Sequence, residues 1–317
     1  MPPIIGIDLG TTNSLMAYVD YRTGLPRVIP DRRGQVLVPS DREVTSREVS
    51  AVVLEALKAR ADAHFGEPVR RAVITVPAYF DERRRQATRD AGRIAGLEIV
   101  GLLDEPTAAA LAYGLERLRH GVVAVYDLGG GTFDISLLRV SDGVFEVLAT
   151  NGHPRLGGDD FDRALVDVLL EDVRRRHGID LAGDRRAMQR LRRAAEAAKR
   201  ELSSRPRAAV KIAFEELAYH REITRAELED LIAPLLDGTL IRCRMAFLDA
   251  GLAPADVDEV VLVGGSTRVP LVRRRVEGLF GRPAHCGLDP DEVVAMGAAV
   301  QASLLEAGRA DVLVPSA

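Results

Sequence analysis

The sequence predicts an α/β protein with mixed β-sheets, folded as two similar lobes. Strand-like apolar segments alternate with amphipathic helical segments, and several neighbouring strands are joined by short turns that predict hairpins. Two distant segments also open alike, because each is an apolar strand that ends in Asp and runs through Leu-Gly into a turn with Thr. They are residues 4–13 and 122–132. Such an internal repeat predicts two facing lobes, residues 1–120 and 121–317.

Composition excludes several classes of partner. The chain has 317 residues, 47% of them hydrophobic and 28% charged, which suits a globular protein with two packed cores. A net charge of −4 argues against nucleic-acid and membrane-surface partners, because both are anionic. No apolar run approaches the roughly 18–20 residues that span a bilayer, and the N-terminus does not resemble a signal peptide. Cys243 and Cys286 are predicted to be free thiols, so we expect a cytoplasmic protein, and we also expect it to be a monomer.

In the first lobe, the strand at 4–8 is followed by three helices and a further strand. Thr45 and Glu48 form a capping box that opens the first helix. Its buried face is predicted to be formed by Val49, Val52, Val53 and Leu57. The other predicted elements of this lobe are a strand at 71–76 that ends at Pro77, a helix at 81–96, and an Ala-rich helix from Pro106 through Ala112.

The second lobe continues with a hairpin around the turn at 141–143. An outer subdomain of helices and a hairpin is expected at about 162–234. Thr224 and Glu227 form a capping box for a long helix that begins in this subdomain and continues past its end. A strand at 259–263 precedes the last helix, which is expected at about 290–306 with Asp289 as N-cap. This helix is predicted to pack back toward the first lobe. The remaining helices are predicted at 160–176 and 184–203.

Two glycine turns give the first functional signal. A phosphate site needs backbone N–H groups turned toward the phosphate oxygens, and glycine allows both the tight turn and the close approach. Neither turn is a P-loop, because no Gly-Lys-Ser/Thr follows, and neither has the Rossmann glycine spacing. Each alone is equally compatible with a structural hairpin, but the pair favours phosphate binding. The residues concerned are Gly10, Thr11, Thr12, Asn13, Gly129, Gly130, Gly131 and Thr132.

Acidic side chains stand beside both turns. Asp8 and Asp127 end their strands, where two carboxylates facing a cleft would suit Mg²⁺ held through water. The alternative is that each Asp caps its own turn. Glu105 lies at a helix start, where it either interacts favourably with the helix dipole or orients an attacking water.

A third glycine turn and a polar stripe extend the candidate site. Gly264, Gly265, Ser266 and Arg268 follow an apolar strand, so the backbone there can approach a flat base while Arg268 stacks on it. A stripe at helical spacing is formed by Glu196, Lys199, Arg200 and Ser203. Taken alone, such a stripe is typical of a solvated helix face.

These motifs together resemble the nucleotide-binding domain of the Hsp70 chaperone family. Within that family, the sequence motifs are most similar to those of the bacterial general chaperone and of its iron–sulfur-assembly relative. The resemblance implies the actin-like ATPase fold, with two lobes around a nucleotide cleft. It also implies ATP or ADP with Mg²⁺ as cofactors, and K⁺ as a further ion. The matching stretches are 5–14, 73–80, 104–110, 126–135, 156–162 and 263–268.

By motif position, the resemblance implies a role for each candidate residue. The catalytic group would be Asp8, Glu105, Asp127 and Thr132, with Asp8 and Asp127 holding Mg²⁺ through water. The polar stripe matches the family's adenosine-binding helix, and this replaces the solvated-face interpretation. The adenine and ribose pocket would be completed by Gly264, Gly265, Ser266, Arg268 and Asp291. Pro77 and Arg85 match a pair that relays nucleotide state.

Three departures from the family pattern limit this transfer. The family has a whole subdomain between the counterparts of Ser40 and Asp41, and that segment carries its catalytic lysine. Arg32 and Arg33 are candidates to compensate for it, although no sequence feature assigns them that role. The chain is also expected to end before the family's linker and substrate-binding domain. Finally, Gly101 stands where the family has an Arg used toward J-domain co-chaperones, and Asp104 replaces the usual Asn.

We therefore predict a chaperone-related, Hsp70-like ATP-binding domain that is a weak ATP hydrolase, with slow or impaired turnover. Its partners would be the nucleotide and a separate protein partner or co-chaperone. The main alternative is a degenerate ATPase, a binding module without turnover, which the missing lysine favours. A small-molecule kinase, which needs an acceptor pocket, and a filament-forming ATPase of the same fold are less favoured.

Overall fold

The computed structural model describes residues 2–40, 47–214 and 217–308. Its mixed sheets flanked by helices confirm the predicted α/β class. The elements of the first half are β1 (Ile5–Leu9), β2 (Asn13–Asp20), β3 (Leu25–Val28), β4 (Val38–Pro39), α1 (Arg47–Phe65), β5 (Arg71–Val76), α2 (Glu82–Ile94), β6 (Glu98–Asp104) and α3 (Glu105–Ala112).

The second half contains the remaining strands and helices. They are β7 (His120–Leu128), β8 (Phe133–Ser141), β9 (Val144–His153), α4 (Gly158–His177), α5 (Arg185–Ser204), β10 (Arg207–Phe214), β11 (Leu217–Thr224), α6 (Arg225–Ala250), β12 (Glu259–Val263), α7 (Pro270–Phe280) and α8 (Val293–Glu306). Among the residues that the structure describes, none of the helices combines the length and the apolar character that crossing a membrane requires.

The two larger sheets share one topology. In the first, β1 pairs antiparallel with β2 and parallel with β5, in the order β3-β2-β1-β5-β6. In the second, β7 pairs antiparallel with β8 and parallel with β12, in the order β9-β8-β7-β12. The repeat seen in the sequence is therefore a repeat of strand pairing. It places the carboxyl ends of β1 and β7, with the turns that follow them, at equivalent positions in the two sheets.

Local chemistry explains several element ends. Asp142 and Gly143 both have positive φ, 49° and 86°, as the tight turn of the β8–β9 hairpin requires. Thr224 caps α6, since its Oγ1 accepts a hydrogen bond from the Glu227 N–H at 3.2 Å. Gly251 ends the same helix with φ of 65°, a left-handed conformation that glycine adopts without strain.

Helices α3 and α8 pack so closely that glycine is required at the contact. A Cβ added to Gly297 in α8 would lie 1.7 Å from the Ala108 carbonyl oxygen in α3. A Cβ on Gly6 in β1 would lie 2.1 Å from the Ala299 nitrogen, so α8 also lies directly on the central strand of the first sheet. The Ile4 N–H donates to Glu306 Oε1 at 2.9 Å. The last helix is thus packed against the beginning of the chain.

Two details of the predicted elements are wrong. Val52 is 63% exposed, whereas Leu54 and Leu57 are fully buried, because α1 lies on the sheet through positions 51, 54, 57 and 61. The side chain of Val49, together with Thr45 of the predicted capping box, lies outside the described residues.

The start of the last helix also differs from its prediction, since α8 begins at Val293. Asp289 instead closes a turn, in which its carbonyl accepts from the Glu292 N–H at 2.9 Å. Its carboxylate accepts from the Asp291 N–H at 3.0 Å. The capping chemistry therefore stabilises a turn that precedes the regular helix.

Candidate functional site

The two predicted phosphate turns face one cleft. The first turn follows β1 and the second follows β7, and the cleft between them has a volume of about 1070 Å³. This is large enough for a ligand of nucleotide size. Its lining includes Gly10, Thr11 and Thr12 from the first turn, and Gly131 and Thr132 from the second.

Both turns are tight, and both present backbone donors. A Cβ on Gly10 would lie 2.3 Å from the Asn13 carbonyl oxygen, so a side chain there is sterically excluded. The Gly129 N–H donates to the Thr132 carbonyl at 3.0 Å and closes the second turn. Within the described part of the chain, the N–H groups of the residues between these closing positions, at 11, 12, 130 and 131, have no protein partner. Such free N–H groups in a turn form a site for anionic oxygens.

The second turn is braced from behind. The Gly129 carbonyl accepts from the Gly158 N–H at 3.0 Å and from Ser266 Oγ at 2.8 Å, and the Gly130 carbonyl accepts from the Asp159 N–H at 2.8 Å. A Cβ on Gly157 would lie 2.5 Å from the Gly130 carbonyl oxygen. Because its carbonyls are bonded on one side, the turn is held rigidly.

Asp8 and Asp127 are partly buried carboxylates at the ends of β1 and β7. Burial raises the pKa of Asp8 to about 7, against the hydrogen bond that Thr75 Oγ1 donates to Asp8 Oδ1 at 3.1 Å. Burial also raises the pKa of Asp127 to about 8, and the charges of Asp134, Asp8 and Asp291 raise it further. The charges of Asp8 and Asp127 thus act on a common group of carboxylates at the ends of the two strands.

Glu105 and Asp134 join this cluster. Burial and the charges of Asp8 and Asp127 raise the pKa of Glu105 well above its usual value, and burial raises the pKa of Asp134 to about 7. Together with Asp127, both line a small cavity of about 20 Å³. A cavity of that volume has room for about one water molecule.

Asp134 was not among the predicted site residues. In the β7–β8 hairpin, Asp134 is the direct partner of Asp127, with Leu128 and Phe133 as the last pair before the turn. Side chains of directly paired residues lie on the same face of the sheet. The predicted hairpin, extended by one pair from its turn, would have identified this residue.

The donor set of this acidic cluster fits a hydrated Mg²⁺ ion. No group of three or more His, Cys, Asp or Glu in the described ranges is arranged to hold a metal ion directly. Mg²⁺ commonly keeps several waters and takes one or two carboxylates together with substrate phosphates. Carboxylates that burial and mutual repulsion have raised in energy would gain from such a cation.

The third turn lies against the same cluster. Gly264 has φ of 83°, and a Cβ there would lie 2.7 Å from Asp127 Oδ1. A Cβ on Gly265 would lie 2.7 Å from Asp291 Oδ1. Arg268 donates to Asp289 and, at 3.1 Å, to Asp291. The structure thus brings Gly264, Gly265, Arg268 and Asp291 together.

The polar stripe on α5 divides into two parts. Lys199 is mostly buried, with 13% of its side chain exposed, and its Nζ donates to the Gly158 carbonyl at 2.9 Å and to Asp162 Oδ2 at 2.8 Å. Since a Cβ on Gly158 would lie 2.5 Å from Ser266 Oγ and 3.0 Å from Lys199 Nζ, Lys199 and Ser266 lie together behind the second turn. Glu196 and Arg200 instead form an exposed pair at 2.8 Å.

Ser203 also stays within its own helix, because its Oγ donates to the Lys199 carbonyl at 3.3 Å. The structure therefore joins Lys199 to the second turn by direct contacts, whereas the contacts of Glu196, Arg200 and Ser203 are with their own helix.

Arg85 connects α2 to the start of α3. Its Nη2 donates to Asp104 Oδ1 at 2.6 Å and its Nε to the Phe80 carbonyl at 3.0 Å. Burial raises the pKa of Asp104, and the bond from Arg85 opposes that rise. Asp104, where the family pattern has Asn, thus forms an ion pair immediately before Glu105.

The predicted substitute cations are not at the cleft. Arg32 and Arg33 lie in an exposed turn, in which the Arg33 N–H donates to Asp31 Oδ1 at 2.8 Å, and among the described residues neither lines the cleft. The arginines that line it are Arg84, Arg155 and Arg163. The local sequence does not indicate which arginines line the cleft, because this depends on which surfaces of the two lobes face each other.

The chain matches a model of a known protein family. The family model described as Hsp70 protein matches residues 39–314. The matched range contains Glu105, the second and third turns, and the α5 stripe.

Proposed function

Because the chain belongs to the Hsp70 family and has an ATP-binding domain of that type, we propose that ATP with Mg²⁺ binds in the cleft between residues 1–120 and 121–317 and is hydrolysed slowly there. The observation that carries this proposal is that both phosphate turns and Glu105 line one cleft, with Asp127 and Asp134 around the small cavity that Glu105 also lines. ADP would occupy the same cleft, and K⁺ is a further ion for its carboxylates. A chaperone-related role with a separate protein partner rests on the family, whereas the cytoplasmic location and the monomeric state rest on the sequence expectations.

Different residues of the chain would bind the phosphates and the metal ion. Backbone N–H groups of residues 11, 12, 130 and 131 would hold phosphate oxygens, with Thr12 and Thr132 hydroxyls as further donors. Asp8 and Asp127 would hold Mg²⁺ through its waters. When bound, Mg²⁺ neutralises phosphate charge that would otherwise face an acidic cluster.

Glu105 is the residue best placed to act on a water. It lines both the main cleft and the small cavity with room for about one water. Its carboxylate would accept a hydrogen bond from that water and orient it toward the terminal phosphate, while Thr132 faces the same cleft. Slow turnover is expected because the cleft's cations are exposed arginines, which are less preorganised for a transition state than a buried cation.

The adenosine end would be formed by the third turn and the neighbouring part of α5. Gly264 and Gly265 let the third turn pack against Asp127 and Asp291, and Arg268, bonded to Asp291, would stack on the base. Ser266 and Lys199 brace the turn next to it. The remaining residues proposed for this pocket are Glu196, Arg200, Ser203 and Asp291.

Replacing Arg268 with Ala is expected to weaken ATP and ADP alike, because both carry adenine. The loss should be on the order of 1 kcal/mol or more, the worth of a planar stacking partner. Thr12→Ala should weaken ATP more than ADP, since the first turn faces phosphates. Calorimetric titration of both nucleotides measures the two dissociation constants. If both variants treated ATP and ADP equally, the assigned ends of the site would be wrong.

Asp8→Asn and Asp127→Asn are each expected to remove most of the Mg²⁺ dependence of ATP binding. An amide keeps the shape of the side chain but loses the charge that holds the hydrated cation. The test is ATP titration with Mg²⁺ and with a chelator. Asp142→Asn is the matched control, because Asn also tolerates the left-handed conformation of that turn. Unchanged Mg²⁺ dependence in both cleft variants would contradict the proposed metal site.

A further inference from the structure

The cleft has arginines in its lining and an acidic cluster beside it. Glu105 lines the cleft, Asp127 and Asp134 line the small cavity that also contains Glu105, and the charge of Asp8 acts on Glu105. A triphosphate brought beside these carboxylates meets repulsion, so positive charge must come from elsewhere. Within the described ranges, the lining includes both phosphate turns and Glu105 but none of residues 264–268. This part of the cleft therefore lies at the phosphate end of the site, away from the third turn.

Two of the arginines in this lining are not neutralised by an ion pair within the described residues. Arg84 lies on α2 and Arg155 between β9 and α4, so they come from opposite lobes. Both are exposed, and neither forms an ion pair with any described residue. The third arginine, Arg163, pairs with Asp160 at 2.7 Å, which neutralises its charge.

Local contacts direct Arg84 into the cleft. Its guanidinium lies over the Phe80 ring at 5.4 Å from the centroid, and Phe80 also lines the cleft. Its charge acts on the Tyr79 hydroxyl, which in turn feels the charges of Asp134 and Glu105. Arg155 is held through its backbone, since its N–H donates to His153 Nδ1 at 3.2 Å.

We propose that Arg84 and Arg155 bind the terminal phosphate of ATP from opposite lobes and so make this site select ATP over ADP. The proposal rests on the proposed function, since it names how the same cleft recognises its nucleotide. A guanidinium offers several donors in a planar fork that matches phosphate oxygens. Because ADP lacks the terminal phosphate, it would forgo these contacts. Because the two arginines belong to different lobes, ATP would also draw the lobes together.

Arg83 provides the matched control on the same helix. It is exposed and adjacent to Arg84, but it does not line the cleft. Changing Arg83 to Ala removes the same charge from the same helix turn. A general electrostatic effect on an anionic ligand would therefore appear in both variants, whereas direct contact would appear only at Arg84.

The test is calorimetric titration of ATP and of ADP, with Mg²⁺, into the parent chain, R84A, R155A and R83A. Loss of one charge-assisted contact should weaken ATP binding about tenfold and change ADP binding by less than about twofold. R84K should restore part of the ATP affinity, since it keeps the charge without the planar fork. In the parent, the ratio of ATP to ADP affinity should fall as salt is raised, and in R84A it should fall less.

Two results would overturn the inference while leaving the proposed function intact. One is an unchanged ratio of ATP to ADP affinity in both R84A and R155A, and the other is a loss in R83A equal to that in R84A. A parent chain that binds neither nucleotide would instead overturn both the proposed function and this inference.

Discussion

Replacing Glu105 with Gln is expected to lower the rate of ATP hydrolysis by about 10²–10³ while leaving ATP affinity within about twofold. The amide keeps the size of the side chain but loses the negative charge that orients a water in the small cavity beside Asp127 and Asp134. Binding survives because the phosphate turns and Asp8 are unchanged. The measurement is phosphate release under single-turnover conditions, with affinity measured separately by calorimetry.

A second readout separates a catalytic role from a structural one. Glu105 is desolvated and repelled by Asp8 and Asp127, so its neutral replacement should raise the melting temperature of the nucleotide-free chain. Loss of function with a gain of stability is typical of a site residue. Glu98→Gln, on the exposed side of β6, is the control and should change neither quantity. Full turnover in Glu105→Gln would remove Glu105 from the mechanism.

Replacing Gly297 with Ala is expected to cause the largest loss of stability among the predicted substitutions. The new Cβ would lie 1.7 Å from the Ala108 carbonyl oxygen, an atom of the α3 backbone that cannot rotate away. Relief requires α3 and α8 to move apart, which we expect to cost about 3 kcal/mol or more. The measurement is the free energy of unfolding from urea titration, and a chain that fails to fold meets the same expectation.

Gly278 offers the matched control for this prediction. It is also inside a helix, α7, but a Cβ added there meets nothing within 4 Å. Gly278→Ala should therefore stabilise the chain by up to about 1 kcal/mol through helix propensity. Similar effects of the two substitutions on the free energy of unfolding would show that α3 and α8 are not in contact as described.

The strands and turns of this fold were predictable because local chemistry determines them. The predicted strands at 71–76 and 259–263 have the same bounds as β5 and β12, since each is a buried run that ends at proline or glycine. The exposure of Val52 was not predictable from spacing, because an apolar position on α1 is buried only if the sheet lies beneath it. The predicted start of the last helix was wrong because Asp289 can cap a turn as well as a helix.

Some parts of the candidate site could likewise be predicted from the sequence and others could not. Glycine turns and strand-end carboxylates are visible in the sequence, and the structure places both phosphate turns on one cleft. The contacts of Lys199 with Gly158 and Asp162 join α5 to α4. Arg84 and Arg155 line the cleft, whereas Arg32 and Arg33 do not, because of how the two lobes face each other. No local pattern encodes such cross-element distances, so the cations were the part of the site that sequence could not locate.

The most direct test of the central claim is a calorimetric titration of ATP into the unmodified chain, with Mg²⁺ and with a chelator. Phosphate turns facing an acidic cluster predict a dissociation constant on the order of micromolar or tighter with Mg²⁺. Without the cation, the same carboxylates repel the triphosphate, and binding should weaken by about tenfold or more. Absence of ATP binding, or equal affinity in both conditions, would contradict the claim that this cleft binds ATP through Mg²⁺.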